Sequence, residues 1–291
     1  MQKKIYDVGV SNVTLEEVMD EYLKDRKDKS ETVYFTVQGL KKELEKYLKL
    51  PLYKISQTTA REMADIVQSR GSAKNTIYRF MLILKAVFNY AVKAEHITKS
   101  PFINITTKQE EVERKYLSID QMHKLWDEKD SYTFYRLVIY MFLFSCLTGL
   151  RFSDMLTLTW GQVRAIPGGY YRLTFTQKKT KKLEYLDINA QAYSLLIDIQ
   201  KDADTSTKVF PVNRSVENLQ RKIRAATNKI LGEEFTFHCA RHTFATTMLS
   251  NGADLYTVSK LLGHKYINTT EIYAKVVDKN KQAAIDLLPK L

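Results

Sequence analysis

The chain has 291 residues, 44% of them hydrophobic, which excludes wholesale disorder and is long enough for two domains. Its net charge of +12 favours a polyanionic partner, and the excess is spread out: residues 1–110 carry 19 Lys and Arg against 14 Asp and Glu, and residues 111–291 carry 26 against 19. The two cysteines are too few for a disulfide framework, and the N-terminus lacks the apolar segment of a secretion signal. The longest apolar run, residues 137–147, is too short to cross a membrane, so a cytoplasmic location is expected.

The first hundred residues predict four helices. Apolar residues at helical spacing place them at about residues 14–27, 32–49, 58–70 and 74–94. Thr14 and Glu17 form a capping-box pattern that opens the first helix, and Gly71 is predicted to end the third as a C′ glycine.

A polar segment, residues 103–115, predicts a linker between an N-terminal domain of residues 1–102 and a C-terminal domain of residues 116–291. Ser118 and Gln121 form a second capping-box pattern, and the apolar run 137–147 predicts a buried helix. Alternating residues then predict three strands, and helical periodicity resumes near residues 190, 216, 238 and 254. The strands are predicted at residues 162–166, 170–176 and 183–188.

Five separated residues suggest chemistry on a phosphodiester: Arg151, His238, Arg241, His264 and Tyr273. A phenol is a weak nucleophile at neutral pH, because its pKa is about 10. It becomes competent when the phosphate charge is neutralised and its proton has an acceptor. Guanidinium groups match the non-bridging phosphate oxygens, and imidazoles can relay protons near neutrality.

The local strings resemble the tyrosine recombinase (phage integrase) family over about residues 12–288. Four motifs occur in the family's order: TGLRFSD at 148–154, a lysine-rich hairpin, H-x-x-R at 238–241, and L-G-H ending at His264 with Tyr273 nine residues later. The resemblance implies a mainly α chain, with a four-helix SAM-like core-binding domain that clamps DNA. The second, catalytic domain would be α+β with a small three-stranded antiparallel sheet.

The resemblance also implies a role for each motif residue. Tyr273 attacks a backbone phosphate and forms a 3′-phosphotyrosyl bond, while Arg151 and Arg241 hold the non-bridging oxygens. His264 donates a further hydrogen bond to the phosphate, and His238 assists the tyrosine as a base. The bond energy is conserved in the ester, so neither a metal nor another cofactor is expected.

The turn of residues 177–182 contains four lysines. The family places one essential lysine on this hairpin, as the acid that protonates the departing 5′ oxygen. Lys179 matches that position best and Lys178 is the alternative, because spacing alone does not fix hairpin register. Lys178, Lys181 and Lys182 are predicted to contact DNA.

Some residues near the motifs have competing interpretations. Asp154 replaces the family's more frequent glutamate, and either orients Arg151 from the same helix face or serves as an N-terminal helix carboxylate. His242 lies beyond Arg241 on a different face and is interpreted as a packing or capping residue. With His238 it forms an H-x-x-x-H pair that could bind zinc, but no third ligand is evident. Tyr266 is a rival candidate for the nucleophile, but it lies closer to His264 in the sequence than the family's spacing of nine residues.

The expected function is site-specific recombination of double-stranded DNA in a bacterial cell, by a homotetramer on two sites, as in mobile genetic elements. The apolar positions within residues 275–291 predict a C-terminal helix that docks on a neighbouring protomer or packs on its own domain. A type IB topoisomerase, which rejoins the same strand as a monomer, and an accessory DNA-binding protein without catalysis are the alternatives.

Overall fold

The computed structural model describes residues 12–26, 30–110, 114–200, 204–212 and 215–273. The chain divides into two compact units, residues 1–112 and 113–291, and the division falls within the polar segment 103–115. In the described part of the chain, no helix is both long and apolar enough to cross a membrane. The C-terminal helix predicted within residues 275–291 lies outside the described residues.

The described residues of the N-terminal unit form four α-helices, as predicted. They are α1 (Leu15–Asp25), α2 (Glu31–Glu43), α3 (Gln57–Gln68) and α4 (Lys74–Lys93). The predicted capping box is present, because the Thr14 hydroxyl accepts from the Glu17 N–H and the Glu17 carboxylate accepts from the Thr14 N–H. Met81, Leu84 and Phe88 of α4 are fully buried, so this helix lies at the centre of the unit's core.

Two predicted helix ends in this unit are wrong. Helix α2 ends at Glu43 instead of residue 49, and a 3-10 turn follows over Glu45–Tyr47. That turn buries Tyr47, whose hydroxyl donates to Glu62 at 2.9 Å. Helix α3 closes in right-handed geometry at Ser69, whose N–H donates to Asp65, so Gly71 is not a left-handed C′ glycine.

The described residues of the C-terminal unit form eight helices and one antiparallel sheet. The helices before the sheet are α5 (Ile119–Asp127), α6 (Arg136–Thr148) and α7 (Phe152–Met155). The strands, in spatial order, are β1 (Val163–Ile166), β2 (Tyr170–Thr176) and β3 (Leu183–Ile188). The helices after the sheet are α8 (Ala190–Ile199), α9 (Val216–Leu231), α10 (Phe237–Ser250), α11 (Leu255–Leu261) and α12 (Asn268–Glu271). The predicted strands and the starts of α8 to α11 are confirmed to within one residue.

Helix α6 determines where the site forms. It is apolar around most of its circumference and buried, which is the pattern of a helix inside a core. It packs mainly against α10. Gly149 ends α6 in the left-handed region, at φ 68°, where glycine carries no Cβ penalty. The chain therefore turns sharply after α6 and begins α7 at Arg151, beside the start of α10.

Candidate active site

The two arginines predicted to hold phosphate are held side by side by backbone carbonyls. Arg151 precedes α7 and donates from Nη2 to the Gly263 carbonyl at 3.1 Å. Arg241, on α10, donates from Nη1 to the Gly149 carbonyl at 2.6 Å and from Nη2 to the Leu262 carbonyl. Both guanidinium groups line one pocket. The loops after α6 and after α11 therefore fix both cations.

Carbonyls orient these cations without cancelling their charge. In the part of the chain that the structure describes, no carboxylate lies within salt-bridge distance of Arg241, and Asp154 Oδ2 is 3.9 Å from Arg151 Nη1. Burial, and next the positive charge of Arg151, lower the pKa of Arg241 to about 9. The guanidinium is still protonated at neutral pH. An anion in this pocket would relieve the repulsion and gain charge-assisted hydrogen bonds.

Asp154 links the arginine turn to the hairpin. Its carboxylate is 2% exposed, and Oδ1 accepts from the Lys178 N–H at 2.9 Å. Oδ2 makes no hydrogen bond with the described residues and reaches Arg151 only as a long ion pair. Asp154 therefore anchors the lysine-bearing turn directly, and orients the guanidinium of Arg151 only at a distance.

The turn between β2 and β3 presents its lysines to solvent. Lys178, Lys179, Lys181 and Lys182 are all exposed. The positive charge of Lys179 contributes to lowering the pKa of His264, after burial and the two arginines, so this ammonium acts on the site. The assignment of Lys179 as the essential lysine stays a prediction, and its position near His264 supports it.

Gln177 joins this turn to the loop after α11, a link that the sequence did not reveal. The Gln177 side chain is 3% exposed, and its Oε1 accepts from the Thr180 hydroxyl at 2.7 Å. Gly263 has a left-handed φ of 59°, and a Cβ built there would lie 2.4 Å from Gln177 Nε2. Close packing of a buried amide on a glycine therefore sets the distance between the hairpin and the His264 loop.

We expect Gly263→Ala to lower both stability and DNA cleavage. A left-handed alanine costs about 1–2 kcal/mol, and the methyl group would also displace Gln177 and hence the lysine turn. Gly232→Ala is the matched control, because Gly232 has φ 74° and open space around its Cβ position. Chemical denaturation should show a loss of stability in both variants, whereas cleavage assays should show a loss in Gly263→Ala only. Equal cleavage by the two variants would contradict the proposed contact.

His264 lies next to both arginines and is fixed by a buried threonine. Its Nδ1 is 2.8 Å from the hydroxyl of Thr270, which is fully buried. Burial first, then Arg241, Arg151 and Lys179, lower the pKa of His264 to about 4. The imidazole is therefore neutral at neutral pH. When the threonine donates to Nδ1, the ring proton is on Nε2, in the tautomer that can donate to a phosphate oxygen.

Tyr273 is buried, and its hydroxyl contacts a histidine other than the predicted one. The side chain is 6% exposed, and the oxygen lies 2.5 Å from His242 Nδ1. Burial raises the pKa of Tyr273, while Arg241 and Arg114 lower it to a smaller extent. His242 is buried, as expected of a packing residue, but its contact with the Tyr273 hydroxyl was not predicted. Positions 241 and 242 both reach the site because this part of α10 is buried on adjacent faces.

His238 lies one imidazole farther from the phenol. Its side chain is solvent-exposed, and its ring contacts that of His242 edge-on, with the centroids 4.2 Å apart. The described residues give His238 no hydrogen bond to Tyr273. Desolvation by the surrounding protein, then the charges of Arg114 and Arg241, lower its pKa even though it stays accessible. Its predicted role as the base for Tyr273 is not supported by a direct contact.

The other tyrosines considered for the nucleophile lie on the surface. Tyr266 is 63% exposed and Tyr256 is 61% exposed, and each is paired with a neighbouring lysine over its ring. Among the described residues, neither forms a hydrogen bond with the two arginines or the histidines. Tyr185 also lines the pocket of the two arginines but is 68% exposed, whereas Tyr273 is 6% exposed and the charge of Arg241 acts on its phenol.

Two further residues of the site were not predicted from the sequence. Arg114, at the end of the polar linker, acts electrostatically on His238, His242 and Tyr273. In the sequence, Arg114 is only one of several charged residues in the polar segment 103–115, so nothing there indicates a role in the site. Thr270 lies on α12, between His264 and Tyr273 in the sequence, and its hydroxyl faces back towards His264.

This arrangement can bind a phosphate diester and attack it. Arg151, Arg241 and Lys179 supply positive charge, and His264 supplies a neutral hydrogen-bond donor. Tyr273 supplies a protonated phenol in contact with a neutral imidazole. These are the components needed for metal-independent transfer of a phosphoryl group to a phenol.

Two family models match this chain. Residues 115–280 match the model described as the phage integrase family, and residues 14–109 match the phage integrase SAM-like domain. Among curated proteins, the chain is 27% identical to the tyrosine recombinase XerD of Staphylococcus haemolyticus, over 90% of this chain and 95% of that protein. It is 29% identical to XerD of Listeria monocytogenes serotype 4b, over 74% of this chain and 78% of that protein.

Solved structures share the fold at lower identity. The Tn1549 transposon integrase in complex with a circular intermediate DNA superposes with a TM-score of 0.77 at 18% identity, covering 94% of this chain and 99% of that one. A lambda integrase dimer bound to a COC′ core site gives 0.68 at 20% identity, covering 88% and 97%. A lambda integrase tetramer bound to a Holliday junction gives 0.70 at 20% identity, covering 90% and 77%.

Proposed function

This chain belongs to the phage integrase family, so it is a site-specific tyrosine recombinase, and we propose that Tyr273 is the nucleophile with which it cleaves DNA. The phenol oxygen attacks a backbone phosphate, the bond from phosphorus to the 5′ oxygen breaks, and a 3′-phosphotyrosyl ester forms. A 5′ hydroxyl from the partner strand reverses the step and joins the exchanged ends. The ester conserves the bond energy, so rejoining needs no nucleotide cofactor.

Charge neutralisation at the phosphate is the main catalytic contribution in this proposal. Arg151 and Arg241 hold the non-bridging oxygens, and His264 donates a third hydrogen bond from Nε2. Lys179, on the turn beside His264, gives its proton to the departing 5′ oxygen, which would otherwise leave as a strongly basic alkoxide. Asp154 and Gln177 position the turn. Lys178, Lys181 and Lys182 contact the neighbouring DNA backbone.

One observation carries this proposal. Two arginines are fixed side by side by neutral carbonyls, with no carboxylate in salt-bridge distance of Arg241 among the described residues, and the charge of Arg241 acts on the buried phenol of Tyr273. Structural arginines are usually paired with carboxylates when they are buried. A buried guanidinium that lacks such a partner suits an anionic ligand.

The partners proposed for this chain follow from its relatives. The solved integrases with this fold are described as bound to a circular intermediate DNA, as a dimer on a core site and as a tetramer on a Holliday junction. By analogy, we infer that this protein assembles as a homotetramer on two double-stranded DNA sites. It would act in the bacterial cytoplasm, as the integrase of a mobile genetic element. The N-terminal domain predicted at residues 1–102 would clamp the DNA that the catalytic domain predicted at residues 116–291 cleaves.

Binding should depend steeply on salt. If both basic units contact the same duplex, they neutralise several phosphates, and affinity should fall by about 10³-fold between 50 and 200 mM salt. Fluorescence anisotropy with a labelled duplex measures this slope. Replacing one exposed turn lysine, as in Lys182→Gln, should reduce the slope by about one. An affinity that is independent of salt would contradict phosphate binding by either unit.

A two-site substrate tests the function. Two duplexes of different length, each carrying the recombination site, should yield two recombinant products of new lengths together with a Holliday-junction intermediate. A supercoiled plasmid with a single site serves as the control. Relaxation of that plasmid without exchange between the two duplexes would favour the type IB topoisomerase alternative.

A further inference from the structure

The imidazole that touches the nucleophile is His242, not the histidine of the H-x-x-R motif. Its Nδ1 lies 2.5 Å from the Tyr273 oxygen, and the two rings are 5.4 Å apart, at an angle of 56°. His242 is 4% exposed and Tyr273 is 6% exposed, so solvent has little access to this hydrogen bond. An acceptor other than bulk water must therefore take the phenol proton as the ester forms.

His242 is neutral before DNA binds. Burial first, and then the groups that face it, His238, Arg114, Arg241 and His264, lower its pKa to about 3. Its ring therefore has an unprotonated nitrogen across the neutral range. Since Tyr273 keeps its proton there, the hydrogen bond runs from the phenol to Nδ1.

We propose that His242 is the general base that accepts the proton of Tyr273 during DNA cleavage. This inference rests on the proposed function and assigns a residue within it. As the phenol oxygen bonds to phosphorus, its proton passes to His242 Nδ1, and the pair of electrons from the breaking bond goes to the 5′ oxygen, which takes a proton from Lys179. In the reverse step, the imidazolium returns the proton to the tyrosine.

The phosphate itself makes this transfer possible. In the free protein, a proton on His242 would be repelled by the positive charges of Arg114 and Arg241, so Tyr273 stays protonated and unreactive. A bound phosphate brings negative charge between the arginines and the phenol, which stabilises an imidazolium at this position. The tyrosine is therefore activated only when DNA occupies the pocket. His238, in edge contact with His242, would influence the step without receiving the proton directly.

The test compares variants on two substrates that differ in one atom. The first is a nicked suicide duplex with an ordinary phosphate, and the second carries sulfur in place of the bridging 5′ oxygen. A thiolate leaves without a proton, so the second substrate removes the need for Lys179 but keeps the need for a base. Asparagine at position 242 keeps an acceptor close to the Nδ1 position without basicity, and His238→Asn is the matched control on the same helix.

We expect His242→Asn to cleave about 10²–10⁴-fold more slowly than the parent on both substrates. Lys179→Ala should be slow on the phosphate and restored on the sulfur substrate, and His238→Asn should lose less than His242→Asn. In His242→Asn, the rate should rise about tenfold per pH unit between neutrality and the pKa of the phenol, because only phenolate then reacts. Anisotropy should show parent-like DNA binding by His242→Asn, which excludes a folding defect.

Cleavage by His242→Asn within threefold of the parent, or its restoration by sulfur, would overturn the assignment of the base. If His242→Asn folds poorly, the same cleavage rates are measured with His242→Gln on both substrates. If a Tyr273→Phe protein still formed a covalent adduct with DNA, the proposed function would fail instead, so the two failures are distinguishable.

Discussion

Tyr273→Phe should abolish covalent attachment to DNA, with a loss of cleavage on the order of 10⁴-fold or more, because the proposed nucleophile then lacks its oxygen. The variant should bind DNA nearly as well as the parent, since the phenol contributes chemistry and little affinity. Its stability should fall by about 1 kcal/mol, as His242 loses its buried hydrogen-bond donor. A suicide duplex followed by denaturing electrophoresis measures adduct formation.

Tyr266→Phe provides the matched control for this experiment. Tyr266 lies seven positions earlier in the same segment and is 63% exposed, so loss of its hydroxyl should leave cleavage unchanged. Adduct formation by Tyr273→Phe together with its loss in Tyr266→Phe would reassign the nucleophile.

Loss of either arginine that we propose to bind the phosphate should slow cleavage by about 10²–10³-fold, the usual effect of removing one group that stabilises transition-state charge. Arg241→Ala should have the larger effect, because its side chain is 8% exposed and also connects the loops at Gly149 and Leu262. Arg241→Lys keeps the charge but loses the planar fork, so it should recover only part of the rate. Single-turnover cleavage at saturating DNA separates these losses from binding.

Arg172→Ala is the corresponding control, since it removes an exposed arginine of the same unit. Arg172 pairs with Asp187 across strands β2 and β3, with Nε 2.6 Å from Oδ1. We expect a cleavage rate within twofold of the parent. Losses below tenfold in both Arg151→Ala and Arg241→Ala would contradict their assignment to the phosphate.

The sequence predicted the regular elements better than it predicted their ends. The three strands and the buried helix α6 were predicted correctly, because alternation and an unbroken apolar run are strong signals. The end of α2 was missed, because Leu44 through Leu48 continue the helical apolar spacing while the chain turns to bury Tyr47. Local spacing cannot distinguish these two outcomes, which are decided by packing.

The site could be predicted as a set of motif residues but not as a set of contacts. Arg151, Arg241 and His264 meet because two loops that are distant in sequence supply carbonyls to the same guanidinium groups. Nothing in their spacing shows that Gly263 packs on Gln177. These contacts depend on how α6, α10 and the hairpin are assembled.

The contact between His242 and Tyr273 is the feature of the site that the sequence predicts least well. Helix periodicity places positions 241 and 242 on different faces and so excludes His242 from the site. Periodicity would exclude His242 only if the whole site lay on one side of α10. Residues from position 240 to position 246 are all buried, so adjacent faces of the helix both face protein, and Tyr273 approaches from the face of His242.

Mapping the covalent adduct is the most direct test of whether Tyr273 becomes joined to DNA. The full-length protein would be trapped on a nicked suicide duplex, digested with protease and nuclease, and analysed by tandem mass spectrometry. We expect a single modified peptide in which Tyr273 carries the 3′-phosphate of the cleaved strand. A nucleotide on any other residue, or a trapped complex with no covalent bond to protein, would contradict it.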